Sequence, residues 1–223
     1  MLPVKEKLDN RMNSRRKLGI FGGSFDPVHM GHISTLLRIK KLYNFDEIIF
    51  VPTFIVNSKK KIIATPDQRI KMLEISLSKH DLNLDLREIR REGTSFTVDT
   101  LKSLQEDYPD TDLVLILGSD SFFTLPEWRE SEQILGLCNI IVVKRDGHSY
   151  SDLINNSPKF LSQKITKDVT IFDGGRYGNI LFEDRMEIKI SSSRVREILK
   201  NNQLIDGLID EDLQDWLSQN KIY

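Results

Sequence analysis

Cysteine is almost missing from this chain: Cys138 is the only one in 223 residues, and it sits in the apolar run LGLCNIIVV. A lone thiol forms no internal disulfide, so packing must hold the fold, and the composition fits a reducing, cytoplasmic setting. Net charge is missing too. Lys and Arg total 32 against 33 Asp and Glu. That balance argues against a non-specific nucleic-acid coat and leaves room for a local basic patch meeting a small polyphosphate. No run reaches the ~18 apolar residues that span a bilayer, so no membrane partner is expected. The opening MLPVKEKLDNRMNSRRK is charged throughout and lacks the apolar centre of a secretory signal. Residues 1–16 read as a frayed tail, or else as a basic arm for a polyanion, ahead of a single domain spanning 17–223. Histidines number four. Only His29 and His32 lie close together, and His80 and His148 fall in segments that read as surface, which disfavours a zinc site. Neither G-x-G-x-x-G nor a Walker loop occurs.

What is present alternates. KLGIF, EIIFVP, DLVLILGSD and NIIVVKRDG are short apolar runs of the buried-strand kind. MGHISTLLRIKKLY, PDQRIKMLEISLSKH and TVDTLKSLQEDYP carry helical periodicity between them. LNLDLREI alternates like a strand, TFIVNSKKKIIATP reads as a loop, and LPEWRESEQIL as one short helix. The pattern predicts an α/β fold: a doubly wound, mostly parallel sheet covered by helices on both faces. Residues 146–180 are less regular. GHSYSDLINNSP reads as a loop, and VTIFDGG and YGNILFED as short strands around a glycine turn. EIKI then leads into SSSRVREILKNN, a helix with a Ser cap, and IDEDLQDWLSQNKIY closes the sequence as a second amphipathic helix. These last helices, about 191–223, read as a small C-terminal extension.

Ligands of open α/β sheets bind beyond the carboxyl ends of the strands. Three segments fall at such ends: 22–32, 118–128 and 190–196. In GIFGGSFDPVHMGH, Gly22 and Gly23 let backbone approach a ligand closely. His29 and His32, three apart at a helix start, project from the same side. A phosphate there would meet backbone donors, the positive helix end and two imidazoles. In ISSSRVREIL, Ser192, Ser193 and Arg196 sit at a second helix start. Arg194 and Arg196 are about 200° apart around a helix, so both cannot aim equally at one small ligand.

Together these residues carry a resemblance. GIFGGSFDPVHMGH is similar to the G-x-F-D-P-x-H-x-G-H signature of the nucleotidylyltransferase superfamily, and ISSSRVR to its I-S-S-T-x-x-R signature. GTSFTVDTL, LGSDSFFTLPEW, VVKRDG and the ending LSQNKIY resemble segments of the bacterial nicotinate mononucleotide adenylyltransferases, from about Leu18 to Tyr223 with a divergent stretch near 146–180. The resemblance implies a Rossmann-like nucleotidyltransferase fold. It also implies transfer of AMP from ATP to nicotinate mononucleotide, with Mg²⁺, giving deamido-NAD and pyrophosphate. Carried over position by position, His29, His32 and Arg196 would act on the ATP phosphates in catalysis. Gly22, Gly23, Ser192 and Ser193 would line those phosphates, while Gly118 and Asp120 would meet the adenosine ribose. Ser24 would touch the mononucleotide phosphate, and Phe96, Thr97 and Trp128 would frame the pyridine. Arg145 matches an arginine near the adenine pocket. Departures are Ser24 and Ser193 for Thr, Phe96 for Tyr, and NSKKK where the family has P-P-H-K. Lys59, Lys60 or Lys61 could supply the missing charge. The protein supplies no evident metal ligands. Nicotinamide mononucleotide, phosphopantetheine or glycerol phosphate as acceptor, and a non-catalytic nucleotide sensor, are the alternatives; a homo-oligomer stays open.

Overall fold

The computed structural model describes residues 15–55, 62–145, 147–174, 177–201, 203 and 205–223. Seven strands form one sheet. They are β1 (Arg16–Gly23), β2 (Glu47–Pro52), β3 (Asn83–Leu84), β4 (Thr111–Gly118), β5 (Asn139–Arg145), β6 (Ile165–Thr166) and β7 (Ile180–Ile188). Their spatial order is β3-β2-β1-β4-β5-β7-β6, and every pairing is parallel. The helices are α1 (Met30–Leu42), α2 (Pro66–Leu77), α3 (Arg87–Arg91), α4 (Thr97–Asp107), α5 (Ser119–Thr124), α6 (Ser131–Leu137), α7 (Tyr150–Asn156), α8 (Lys159–Ser162), α9 (Val169–Gly174), α10 (Ser192–Lys200) and α11 (Glu211–Asn220).

The period-two alternation of a strand divides the core into two layers. Phe21, Ile48, Phe50, Val114, Ile116, Ile141 and Val143 face one way, against Ile33, Leu36 and Ile39 of α1, Met72 and Leu73 of α2, Val195 of α10 and Leu213 of α11. Leu18, Ile20, Ile49, Val51, Leu113, Leu115, Ile140 and Val142 face the other, against Val98, Leu101 and Leu104 of α4, Phe122 of α5, Ile134 of α6 and Leu153 of α7. Strands buried on both faces are why these segments read as unbroken apolar runs. The expected doubly wound parallel sheet is the observed one. The closing helices α10 and α11 form part of the first layer.

Four local expectations are corrected. LNLDLREI makes a strand of only two residues, because Asp85 accepts hydrogen bonds from the Arg87 backbone and side chain and turns the chain into α3. LPEWRESEQIL is not one helix. A 3₁₀ turn, Leu125–Glu127, ends at Trp128, and α6 starts afresh after Glu130, which takes a left-handed conformation. GHSYSDLINNSP contains α7, whose start is closed by a Ser149–Asp152 capping box. Where VTIFDGG reads as a strand, Val169–Gly174 is the helix α9, opened by Asp168 accepting from the Thr170 amide, with Phe172 buried. Lys59, Lys60 and Lys61 lie outside the described residues, as does nearly all of the 1–16 tail.

Candidate active site

The strand order reverses across β1 and β4, and the three candidate segments gather at the carboxyl ends there. Gly23 lies against the Phe25 ring, where a Cβ would stand 3.1 Å from its carbons; at Gly22 the nearest atom to a Cβ would be 3.9 Å away, leaving that backbone open. Phe25 itself has φ 49°, a left-handed conformation in a bulky residue, which marks a constrained loop. The loop delivers His29 to the N-cap of α1, and His32 follows one turn later. The rings stack with centroids 3.5 Å apart. His29 is 1% exposed and His32 8%.

The His29 amide donates to Nδ1 of His32 at 3.4 Å. An accepting Nδ1 puts the His32 proton on Nε2. Both ring nitrogens of His29 are buried without a hydrogen-bond partner. Burial, then the positive charge of Arg145, pushes the His29 imidazole down from 6.5 to about 3. His32 is driven well down by burial, then by His29 and Arg145. The pair is therefore neutral near pH 7, and each ring can offer one N–H donor.

Asp26 ties the first segment to the third. Its carboxylate, 2% exposed, accepts from the Ile63 and Ala64 amides at 2.8 and 3.0 Å and from the Tyr223 hydroxyl at 2.7 Å. Arg196 donates Nη1 to the Asp26 carbonyl at 2.5 Å and Nη2 to Ser193 Oγ at 3.1 Å. Its guanidinium lies 3.6 Å from the Asp26 carboxylate. Ser192 Oγ donates to the Pro27 carbonyl, and Ser191 rather than either later serine caps α10. Arg194 points elsewhere and pairs with Glu197, as the helical angle requires.

The second segment joins through Arg145. Buried Ser119 both donates to the Arg145 carbonyl and accepts from its amide, each at 3.0 Å. That holds the end of β5 beside Gly118 and Asp120, with Asp120 Oδ2 at 3.6 Å from the Arg145 guanidinium. Asp120 Oδ1 is buried without a partner. A Cβ on Gly118 would fall 2.5 Å from that oxygen, so this glycine makes room for the aspartate.

Phe96, Thr97 and Trp128 are all half-buried; Phe96 and Trp128 pack against the second core layer, and Arg129, next to Trp128, lies over the Phe96 ring. The Trp128 indole N–H donates to Thr124. The Ser95–Phe96 segment connects to the first segment through a residue absent from the sequence reading, Arg69. Its side chain is 1% exposed and donates to the Ser24 and Phe54 carbonyls at 2.8 and 3.3 Å. The Phe54 amide in turn donates to Ser95, just before Phe96. The signal was an arginine on the same helical face as Met72, Leu73 and Ser76, all buried. Tyr223 was also missed, since nothing local links a position 197 residues away to Asp26.

The cytidylyltransferase-like family model matches residues 20–198. A Legionella pneumophila (strain Corby) protein named "Probable nicotinate-nucleotide adenylyltransferase" is 33% identical over 207 residues, covering 92% of this chain and 98% of its own. A protein of the same name from Aquifex aeolicus is 46% identical over 129 residues, covering 57% and 77%. The solved Plasmodium falciparum nicotinic acid mononucleotide adenylyltransferase complexed with NaAD superposes with a TM-score of 0.68 at 21% identity, over 93% of this chain and 97% of that one, a likeness of fold. Among the described residues no helix is long and apolar enough to cross a membrane. With the family model matching most of the chain and the Legionella relative matched along nearly its whole length, the chain belongs to the nicotinate-nucleotide adenylyltransferase family of cytidylyltransferase-like proteins.

Proposed function

We propose that this site joins the AMP portion of ATP to the phosphate of nicotinate mononucleotide, releasing pyrophosphate and forming deamido-NAD in NAD biosynthesis. The observation that carries the reading is the stacked, buried His29–His32 pair, with both His29 ring nitrogens unpartnered, on a loop braced by Arg196 and under the charge of Arg145. An oxygen of the mononucleotide phosphate attacks the α-phosphorus. The new P–O bond forms as the bond to the bridging oxygen of pyrophosphate breaks. No side-chain nucleophile enters, so the protein's work is alignment and offset of charge.

In this reading His29 and His32 donate to phosphoryl oxygens as charge develops, and Arg196 holds the leaving pyrophosphate. Gly22, Gly23 and Ser193 complete the phosphate lining. Ser192, its hydroxyl donating to the Pro27 carbonyl, braces the loop instead of meeting the ligand. Asp120 accepts from the adenosine ribose, which would satisfy its orphaned Oδ1. Ser24 meets the mononucleotide phosphate, while Phe96, Thr97 and Trp128 hold the pyridine.

Mg²⁺ enters this scheme on the ATP phosphates. Among the described residues no group of three or more His, Cys, Asp or Glu could hold a metal ion, and Asp26 is already engaged by two amides and a phenol. A magnesium ion that keeps substrate phosphates and water as ligands fits such a site, where it would neutralise phosphate charge. The buried Cys138, its thiol pushed up to about 12 by burial, supports a structural thiol in a cytoplasmic enzyme.

The test is pyrophosphate release with ATP and Mg²⁺, comparing nicotinate and nicotinamide mononucleotides. Strong preference for the acid is expected. Preference for the amide would overturn the Phe96–Thr97–Trp128 assignment. Turnover with neither would redirect the reading to phosphopantetheine or glycerol phosphate, and then to a nucleotide sensor.

A further inference from the structure

We propose that Arg129 is the residue by which this chain distinguishes an anionic from a neutral pyridine mononucleotide. The proposal rests on the reading of Phe96, Thr97 and Trp128 as the pyridine site. Arg129 follows Trp128 directly, and its guanidinium carbon lies 4.7 Å from the centroid of the Phe96 ring. Its side chain is 46% exposed, so it is open to solvent on one side. The Phe96 ring therefore has a half-exposed cation lying across it.

Two carboxylates hold the guanidinium there. Nη1 donates to Asp99, in the first turn of α4, and Nε to Glu130, each at 3.3 Å. Charge-assisted bonds of full strength run about 2.7–2.9 Å, so both contacts are long. They occupy two of the five N–H donors of a guanidinium. Lys102 takes up part of Glu130's charge, at 2.9 Å. The arrangement positions Arg129 and leaves it the capacity to accept a further anionic partner.

The same corner has a second source of positive potential. Phe96 is the N-cap of α4, an 11-residue helix, and its apolar side chain gives the first-turn amides no bond. The positive end of the α4 dipole therefore lies beside the ring that Arg129 covers, offset in part by Asp99 of the first turn. A carboxylate on the pyridine meets both. A carboxamide of the same shape carries no net charge and brings N–H donors toward a cation that can accept nothing.

The experiment measures binding of nicotinate mononucleotide and nicotinamide mononucleotide by calorimetry, for the unaltered chain, Arg129→Gln and Arg129→Lys, with a non-hydrolysable ATP analogue present. The ratio of the two dissociation constants is the readout, since a merely structural role would move both alike. The unaltered chain should prefer the acid. Arg129→Gln should reduce that preference about tenfold or more, as for loss of a hydrogen bond to a charged group. Arg129→Lys should fall between, because it keeps charge and loses the planar fork and the ring stacking. An unchanged ratio in Arg129→Gln, or equal affinities in the unaltered chain, overturns the proposal. Turnover of the unaltered chain, measured separately, tests the catalytic reading. Should it fail, the binding ratio still decides for or against Arg129.

Discussion

His29 is a buried polar side chain with nothing to bond to, and such a group lowers stability by roughly 1–3 kcal/mol. Holding it there makes sense if a phosphate supplies the missing partner. His29→Leu, similar in volume and free of polar atoms, should therefore raise stability by about 1 kcal/mol in a urea melt while abolishing most turnover. Site and stability then pull in opposite directions at one residue. The same burial sets a pH dependence. His29 is held down to about 3, while in the unfolded chain it returns to about 6.5. Between those values the unfolded state binds the extra proton, so this contribution is complete above pH ~6.5 and is lost as pH falls toward ~3. Thermal midpoints measured from pH 7.5 to 5 should fall less steeply in His29→Leu than in the unaltered chain. His32, whose Nδ1 is occupied by the His29 amide, gives the cleaner test of the proposed catalytic role. His32→Ala should lower the maximal rate on the order of a hundredfold, as for loss of one transition-state donor. A maximal rate left intact would remove it from the mechanism.

At the scale of elements, the site depends on how α10 and α11 are tied to the loop after β1. Asp26 collects donors from the segment before α2 and from the residue Tyr223 that follows α11, while Arg196 of α10 reaches its carbonyl. Tyr223→Phe removes one hydroxyl and keeps the ring. It should lower stability by about 1 kcal/mol and raise the KM for ATP, leaving the KM for the mononucleotide in place, because Arg196 is the group whose support is loosened. Equal effects on both substrates would mean that Tyr223 acts only on the fold. This tie also marks where sequence reading stopped. His29, His32 and Arg196 were legible because each sits in a short motif at a strand-to-helix junction. Arg69 and Tyr223 were not, because their partners lie 45 and 197 residues away. The same contrast governs the elements. α1, α2 and α4 each turn three or more residues into the core, enough for periodicity to register. α7 buries Leu153 alone and is defined by its cap. α9 is written in Val, Thr and Ile, residues that favour strands until Asp168 and buried Phe172 commit them to a turn of helix.

The whole molecule separates what holds it together from what acts. Stability comes from two apolar layers around the sheet, with β1 in the middle between β2 and β4. The candidate site sits on a rim at the strand ends, built from polar groups that the layers do not need. Two glycines test this division, because each is tight for a different reason. At Gly19, inside β1, a Cβ would meet Ile48 at 2.9 Å, Ile116 at 3.1 Å and Phe45 at 3.3 Å. The strand is paired on both sides, so it cannot slide away. Gly19→Ala should cost about 1–3 kcal/mol as an overpacked core, lowering the thermal midpoint by several degrees, while folded protein keeps its specific activity. At Gly31, in the first turn of α1, a Cβ would meet the His29 ring at 3.1 and 3.3 Å and Ile188 at 3.4 Å. The tightest contacts fall on an imidazole that has no hydrogen bond to hold it, so the ring yields and the core does not. Gly31→Ala should leave the melting temperature nearly unchanged and lower the maximal rate by about tenfold or more, through displacement of a phosphate donor. Melting curves and initial rates on the two purified variants decide the matter. If Gly31→Ala melts early and turns over normally, His29 belongs to the fold and not to the site.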